Sequence, residues 1–389
     1  MNHHKKIIVT ICFTGFLLAG CWDTVNLEDR GFIVGTAIDL DEQNESKTIS
    51  YNVTNQLVIP AGIGSPSQGG SGNEKPFLNI TTNGNNIYRN NEEITSKTSK
   101  VPFFEHLKVL IVSEEVARIS RAFPELLDTF IRDVNMRRSI KIIIAKENNA
   151  KEILDFTTPE ERLPAIHINK LLDHSHKHFD YLEAMTIGDI EEAHLREKSY
   201  VLPLLEKEET LIYNSGIAFN GPQGKMVGIL TPREMQGIEI ASRKPVEEVV
   251  NIKYKENEMA FEIIRIHNRI SIDTEDINNL KIKVNVKTIG AIKETYGELD
   301  LLNKNILKDI EKSASKHMKA SIEQVIEKGQ NELNTDILGI WKNMESKHYK
   351  IWKEIKDDWE QGENYFSKAN FDVEVHAEIY SVGTSSKTD

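Results

Sequence analysis

The stretch LLAGCWD, Leu17 to Asp23, decides how the rest of this chain must be held together. His3, His4, Lys5 and Lys6 give a basic start, and Ile7 to Leu18 is almost wholly apolar. That run of about 12 residues falls short of the ~20 a membrane-crossing helix needs. A basic start, a short apolar middle and the small residues Ala19 and Gly20 read as an export leader. The next residue specifies the kind. Leu18-Ala19-Gly20-Cys21 fits the site at which a bacterial lipoprotein is cut, leaving Cys21 with a diacylglyceryl group and an acylated amine. The chain's other cysteine, Cys12, lies inside the leader. Everything after Cys21 therefore folds without disulfides and depends on its buried core.

An anchor of this kind has defined physics. One acyl chain holds a protein to a bilayer marginally and two hold it stably, at ~0.8 kcal/mol per buried CH2. Charge contributes little to such attachment here. Removing the leader's two lysines takes the formal charge from −12 to −14. That balance argues against nucleic acid, which needs basic patches, and against electrostatic binding to anionic lipid. With 39% hydrophobic and 28% charged residues, the remainder suits a globular body of two or three domains.

Hydrophobic patterning gives the order of elements. Gly31 to Ile38 reads as a buried strand, with Thr48 to Ile59 as its hairpin partner. Pro60 to Pro76 follows, in which 11 of 17 residues are Gly, Ser or Pro, so it reads as a mobile surface loop. It has neither G-x-G-x-x-G nor G-K-[ST] spacing and so does not read as a phosphate cradle. Phe77 to Thr82 resembles a strand and Asn85 to Ser99 a helix. His106 to Val112 and Arg138 to Ala145 read as strands flanking a helical stretch, Glu114 to Ile131, that Pro124 interrupts or restarts. Lys146 to Lys198 reads as mostly helical, with breaks at Pro159 and Pro164. Val201 to Leu205, Leu211 to Phe219 and Lys225 to Leu230 return to strand character. In the last third, Lys281 to Lys287 and Phe371 to Ile379 alternate strictly, the mark of a sheet wet on one face and hence antiparallel. Between them, Ile306 to Leu333 forms a long amphipathic helix, and Trp341, Trp352 and Trp359 lie on a second helical region.

The expected fold class is α+β: a multi-domain mixed α/β chain. Residues 1–20 are the leader, 21–145 an N-terminal α/β layer, 146–205 a mostly helical middle, and 206–389 a C-terminal antiparallel sheet packed with long helices. The main boundary is placed in the charged run Glu206 to Thr210.

No constellation nominates a catalyst. His174, His176 and His178 alternate, with His167 nearby, yet on a helix i and i+2 point apart, and no cysteine or carboxylate pair completes a zinc set. Asp357-Asp358 and Glu191-Glu192 are sequence neighbours on helices and so face different ways. H-E-x-x-H, G-x-S-x-G and kinase-type sets are missing from the sequence. The three tryptophans are spaced near whole helical turns, which points to core packing against the C-terminal sheet, with a binding stripe as the alternative. No catalytic, cofactor-binding or metal residue is assigned.

The segment CWDTVNLEDRGFIVGTAIDL resembles the opening of one family, the spore germination lipoproteins of the Ger(x)C type. The match is carried by Cys21, Trp22 and Asp23, by Glu28, Asp29, Arg30 and Gly31, and by the apolar strand ending at Asp39. HLKVLIVSEEVAR, LLDTFIRDVNMRRSIKIIIAK, SGIAFNGPQGKMVGILTPRE and TDILGIWKNMESKHYKIWKEIKDDW resemble later family blocks. Two departures stand out: Tyr349-Lys350-Ile351-Trp352-Lys353 has no proline before it, and the loop at Pro60 to Pro76 is long. The resemblance implies three domains of mixed α and β and a non-enzymatic C subunit of a nutrient germinant receptor. Its partners would be integral-membrane A and B subunits, at the outer face of the inner spore membrane. It leaves open whether this subunit touches germinant. A surface-displayed solute-binding lipoprotein or a cell-envelope enzyme would share the anchor and is the rival expectation.

Overall fold

The computed structural model of the 389-residue chain describes residues 26–43, 48–63, 75–175, 184–242, 248–295 and 299–382. Cys12, Cys21, Trp22, Asp23, His176 and His178 lie outside them, as does the middle of the Gly-Ser loop, residues 64–74.

Two sheets organise the molecule. The first begins with β1 (Arg30–Leu40), β2 (Tyr51–Val58) and β3 (Phe77–Gly84), an antiparallel meander. The loop between β2 and β3 is closed at its base by the Ile59 amide donating to the Pro76 carbonyl, 2.7 Å. After helix α1 (Ile87–Glu93) and the short strand β4 (Val101–Phe103), β5 (Val109–Ser113) lies parallel to β1. Helices α2 (Glu114–Arg118) and α3 (Ala122–Arg132) lead to β6 (Lys141–Ala145). Helices α4 (Ala150–Leu154), α5 (Pro164–Ser175) and α6 (Ile187–Leu195) lead to β7 (Tyr200–Lys207). β8 (Leu211–Asn220) and β9 (Lys225–Leu230) complete the spatial order β3-β2-β1-β5-β6-β7-β8-β9, with β4 attached to β1. The centre of this sheet is parallel and both margins are antiparallel.

The parallel strands are buried on both faces, as helical crossovers require. Leu110, Val112, Ile142 and Ile144 pack with Phe123, Leu127, Phe130 and Ile190 on one side. Val109, Ile111, Ile143 and Ala145 pack with Ile153, Leu154, Ala165 and Ile168 on the other. The Glu206–Thr210 run spans the end of β7 and the turn into β8, and sheet pairing continues across it.

One expected break is displaced. The helical stretch after β5 is interrupted at Arg121, which adopts left-handed φ 63°, three residues before Pro124. Pro124 instead occupies the first turn of α3, where a missing N–H costs no hydrogen bond.

Helix α7 (Pro232–Ser242) connects to the second sheet: β10 (Glu248–Tyr254), β11 (Asn257–Asp273), β12 (Lys281–Thr295) and, in last position, β13 (Asn370–Ser381). Between β12 and β13 come α8 (Lys304–Glu327), a π turn over Lys328–Leu333, α9 (Trp341–Lys347), α10 (Tyr349–Ile355) and α11 (Tyr365–Lys368). Ile310, Ala314, Met318, Ile322 and Val325 of α8 cover the inner face, formed by Val250, Phe261, Ile282, Val284, Val286 and Val373. Helix α7 crosses α8 closely, because a Cβ on Gly237 would lie 2.2 Å from the Ser321 carbonyl oxygen.

This sheet is not wholly antiparallel. β10, β11 and β12 pair antiparallel, but β13 runs parallel to β12. Strict alternation reports a half-buried face and carries no information on direction. The long helical connection returns the chain to the end of the sheet where β12 began, and parallel pairing needs such a crossover.

Candidate functional site

The motif residues stand where the described chain begins. Leu27–Asp29 form a single 3-10 turn, in which the Asp29 amide donates to the Asn26 carbonyl at 3.0 Å. Arg30 starts β1, and Arg30 to Phe32 pair in parallel with Val101 to Phe103. The Arg30 guanidinium lies 4.4 Å from the centre of the Phe103 ring, a cation–π contact. Phe32 meets Phe103 edge-on at 5.7 Å and His106 at 5.3 Å. The Lys100 ammonium donates to the Glu28 carbonyl. Gly31 sits in close quarters: a Cβ there would lie 2.5 Å from Leu57 Cδ1 and 3.0 Å from Lys100 Cβ, so a side chain has to displace Leu57. Glu28, Asp29, Arg30 and Gly31 thus shape a seam between β1, β2 and β4. Beside the seam is an open cleft of about 640 Å³. Its walls include Arg30, Tyr88, Phe103, Asp128, Arg132 and Val134. Tyr88, Val101 and Val134, all of which line it, are exposed.

The far end of the motif strand has a different task. The Asp39 carboxylate accepts from the amides of Ala150 (2.7 Å) and Lys151 (2.9 Å), capping the N-terminus of α4. Burial pushes its pKa up to about 6, against the opposing effect of those two amides.

A second polar centre joins the two sheets, and sequence patterning did not single it out. Asp336 is fully buried. Its carboxylate accepts from the amides of Ile340 (2.9 Å) and Trp341 (2.8 Å) and from the Trp359 indole N–H (2.9 Å). The Asp336 amide donates to Glu360 at 2.6 Å. Glu360 also bonds Ser199, beside β7. Lys198 extends its ammonium over the Trp352 ring at 4.5 Å and the Trp341 ring at 5.9 Å. From the β8–β9 turn, the Asn220 amide donates to the Thr335 hydroxyl at 3.0 Å. Desolvation pushes the Glu360 carboxyl up to about 7, helped by the Asp336 charge, and raises Asp336 as well. Burial lowers Lys198. The tryptophans are core residues: Trp341, Trp352 and Trp359 are all buried. Glu191 pairs with Arg138 and Glu192 with Arg196, on separate surfaces. Among the described residues, no three His, Cys, Asp or Glu side chains gather as a metal site, and no helix is long and apolar enough to cross a membrane.

Residues 23–207 match the family model described as Spore germination protein N-terminal domain. Residues 215–383 match the one described as Spore germination B3/GerAC like, C-terminal. This chain belongs to the Ger(x)C family of spore germination proteins. Among curated relatives, it is 25% identical to spore germination protein YndF of Bacillus subtilis (strain 168), over 99% of this chain and 98% of the relative. It is 26% identical to spore germination protein B3 of the same organism, over 95% and 96%. To spore germination protein A3 it is also 26% identical, over 98% of each chain. A crystal structure of the GerBC protein superposes with a TM-score of 0.59 at 21% identity, covering 89% of this chain and 97% of that one. That likeness shows a shared mixed α/β fold. The two family models meet around the β7–β8 hairpin, so the pairing of β7 with β8 and the Asp336–Glu360–Ser199 centre both tie one to the other.

Proposed function

We propose that this chain is a lipid-anchored, non-catalytic subunit of a spore germinant receptor. It works with integral-membrane A and B subunits at the outer face of the inner spore membrane. The observation that carries the reading is that the two germination-family models together run from residue 23 to 383, beginning two residues after the cysteine of the lipoprotein site. The two acyl chains of the diacylglyceryl group on Cys21 already suffice to hold the protein at the bilayer. Asn26 is five positions along the chain from Cys21, a reach of at most about 18 Å. The motif seam and its cleft therefore lie close to the membrane, where partner subunits would be met. Tethering raises the local concentration of each protein toward the other, so a modest contact affinity suffices.

Against the solute-binding rival, the two units differ in kind. One is a nine-stranded sheet with helices on both faces, the other a four-stranded sheet covered on one face, whereas solute-binding proteins close two like lobes on a ligand. No relative named above carries the name of a catalytic activity. Replacing Cys21 with Ala tests the reading in spores. The expected result is loss of nutrient-triggered germination, with the protein released from membranes without detergent. Normal germination by the variant at normal protein level would overturn it.

A further inference from the structure

The outer face of the second sheet is uncovered, and its charge is arranged unusually. Beyond a bulge at Ile263–Arg265, β11 directs Arg265, His267 and Arg269 outward, all exposed. Register places Ile289 opposite Arg265, Lys287 opposite His267 and Asn285 opposite Arg269. Elsewhere on this face Lys283 pairs with Glu374 at 2.5 Å and Lys293 with Glu262 at 2.8 Å, and the β13 register sets Glu374 and Glu378 diagonal to Lys287. Arg265, Arg269 and Lys287 make no ion pair with any described residue. The chain carries 60 acids against 48 bases, so three neighbouring cations without ion pairs stand against its overall balance. Cations adjoining across strands repel, and solvent exposure alone gives no reason to collect them.

We propose that the row Arg265–Arg269, with Lys287 beside it, docks an acidic, extended segment of a protein partner. An extended chain presents the side chains of one face every ~6.8 Å, the same interval that separates Arg265, His267 and Arg269 along β11. Carboxylates four positions apart on the partner thus meet Arg265 and Arg269, with the His267 ring between them. Each guanidinium can hold a carboxylate through two parallel N–H bonds, and Ile289, opposite Arg265, supplies an apolar contact beside it. A slender segment feels mainly this patch, because charge farther than ~10 Å is screened. An anionic bilayer would face a larger part of a net-negative body. The surface does not depend on lipid at Cys21, so it stands or falls separately from the anchored-subunit reading.

The test is a titration of the full chain, in zwitterionic detergent micelles, with a fluorescently labelled poly-L-glutamate peptide at low salt. The wild type is expected to bind, with affinity falling as salt rises. Arg265→Glu with Lys287→Glu should weaken binding about tenfold or more, and the neutral pair Arg265→Gln with Lys287→Gln should weaken it less but clearly. Lys308→Glu with Lys316→Glu, exposed on α8, should stay within about twofold of wild type. Circular dichroism checks that each variant is folded. Three outcomes overturn the proposal: no binding by wild type, equal loss in the α8 control, or displacement of the peptide by phosphatidylglycerol added to the micelles. The last would assign the face to lipid headgroups instead.

Discussion

Replacing Glu360 with Gln should make the protein more stable at alkaline pH and remove part of its acid preference. Glu360 is almost fully buried, next to a second buried carboxyl, Asp336, and its pKa is pushed up from 4.5 to about 7. A group that binds its proton more tightly in the folded state contributes stability below its unfolded pKa. That contribution is lost as pH climbs through the folded value. Proton linkage converts the difference to about 2 to 3 kcal/mol lost between pH 5 and pH 8. Asp39, pushed up to about 6, adds about 1 kcal/mol in the same direction, and it is present in both proteins. Gln keeps an oxygen to accept from the Asp336 amide and carries no charge to oppose Asp336. Urea unfolding of wild type and Glu360→Gln at pH 5, 6, 7 and 8 reads the effect, with tryptophan fluorescence as the signal because Trp352 and Trp359 adjoin the centre. The wild-type curve should fall more steeply with pH than the variant's, and the variant should be the more stable at pH 8. Parallel curves, or a variant weaker than wild type at pH 8, would refute the argument.

Further outcomes follow from the motif strand. Gly31→Val drives a side chain into Leu57 and Lys100 and should cost about 1 to 3 kcal/mol, seen as a lower urea midpoint and faster proteolysis around β4. Asp39→Ala leaves two amides of α4 without their acceptor and should cost about 1 to 2 kcal/mol at neutral pH, measured by the same unfolding curves.

The sequence was readable wherever one period held over a whole element. β1, β5 and β6 are short apolar runs between turn signals, and all three lie in the buried centre of the first sheet. The long helix was visible because Ile310, Ala314, Met318, Ile322 and Val325 repeat on one face. β11 is the instructive miss. Its inward residues are Met259, Phe261 and Ile263 before the bulge and Ile266, Ile270 and Ile272 after it. The parity reverses midway, so a search for continuous alternation fails across the strand. β4 was missed because three residues containing Pro102 carry no period at all. The direction of β13 could not be read either, since alternation is the same in both orientations. At the site, the EDRG block stands out in the sequence only by resemblance, and nothing in it announces that Leu57 and Lys100 approach Gly31 from elsewhere in the chain. Asp336, Glu360 and Lys198 are far apart in sequence and unremarkable in composition, so only the fold reveals their meeting.

The direction of β13 also sets an order of assembly. Its partner β12 is complete by residue 295, yet the strand that covers its open edge spans 370–381. Until that late segment emerges from the ribosome, Lys281 to Ala291 have no neighbour on one side, and their backbone groups remain available to any passing strand. A nonsense change that deletes only β13 would therefore leave most of the hydrophobic interior encoded while producing a sticky, unfinished chain.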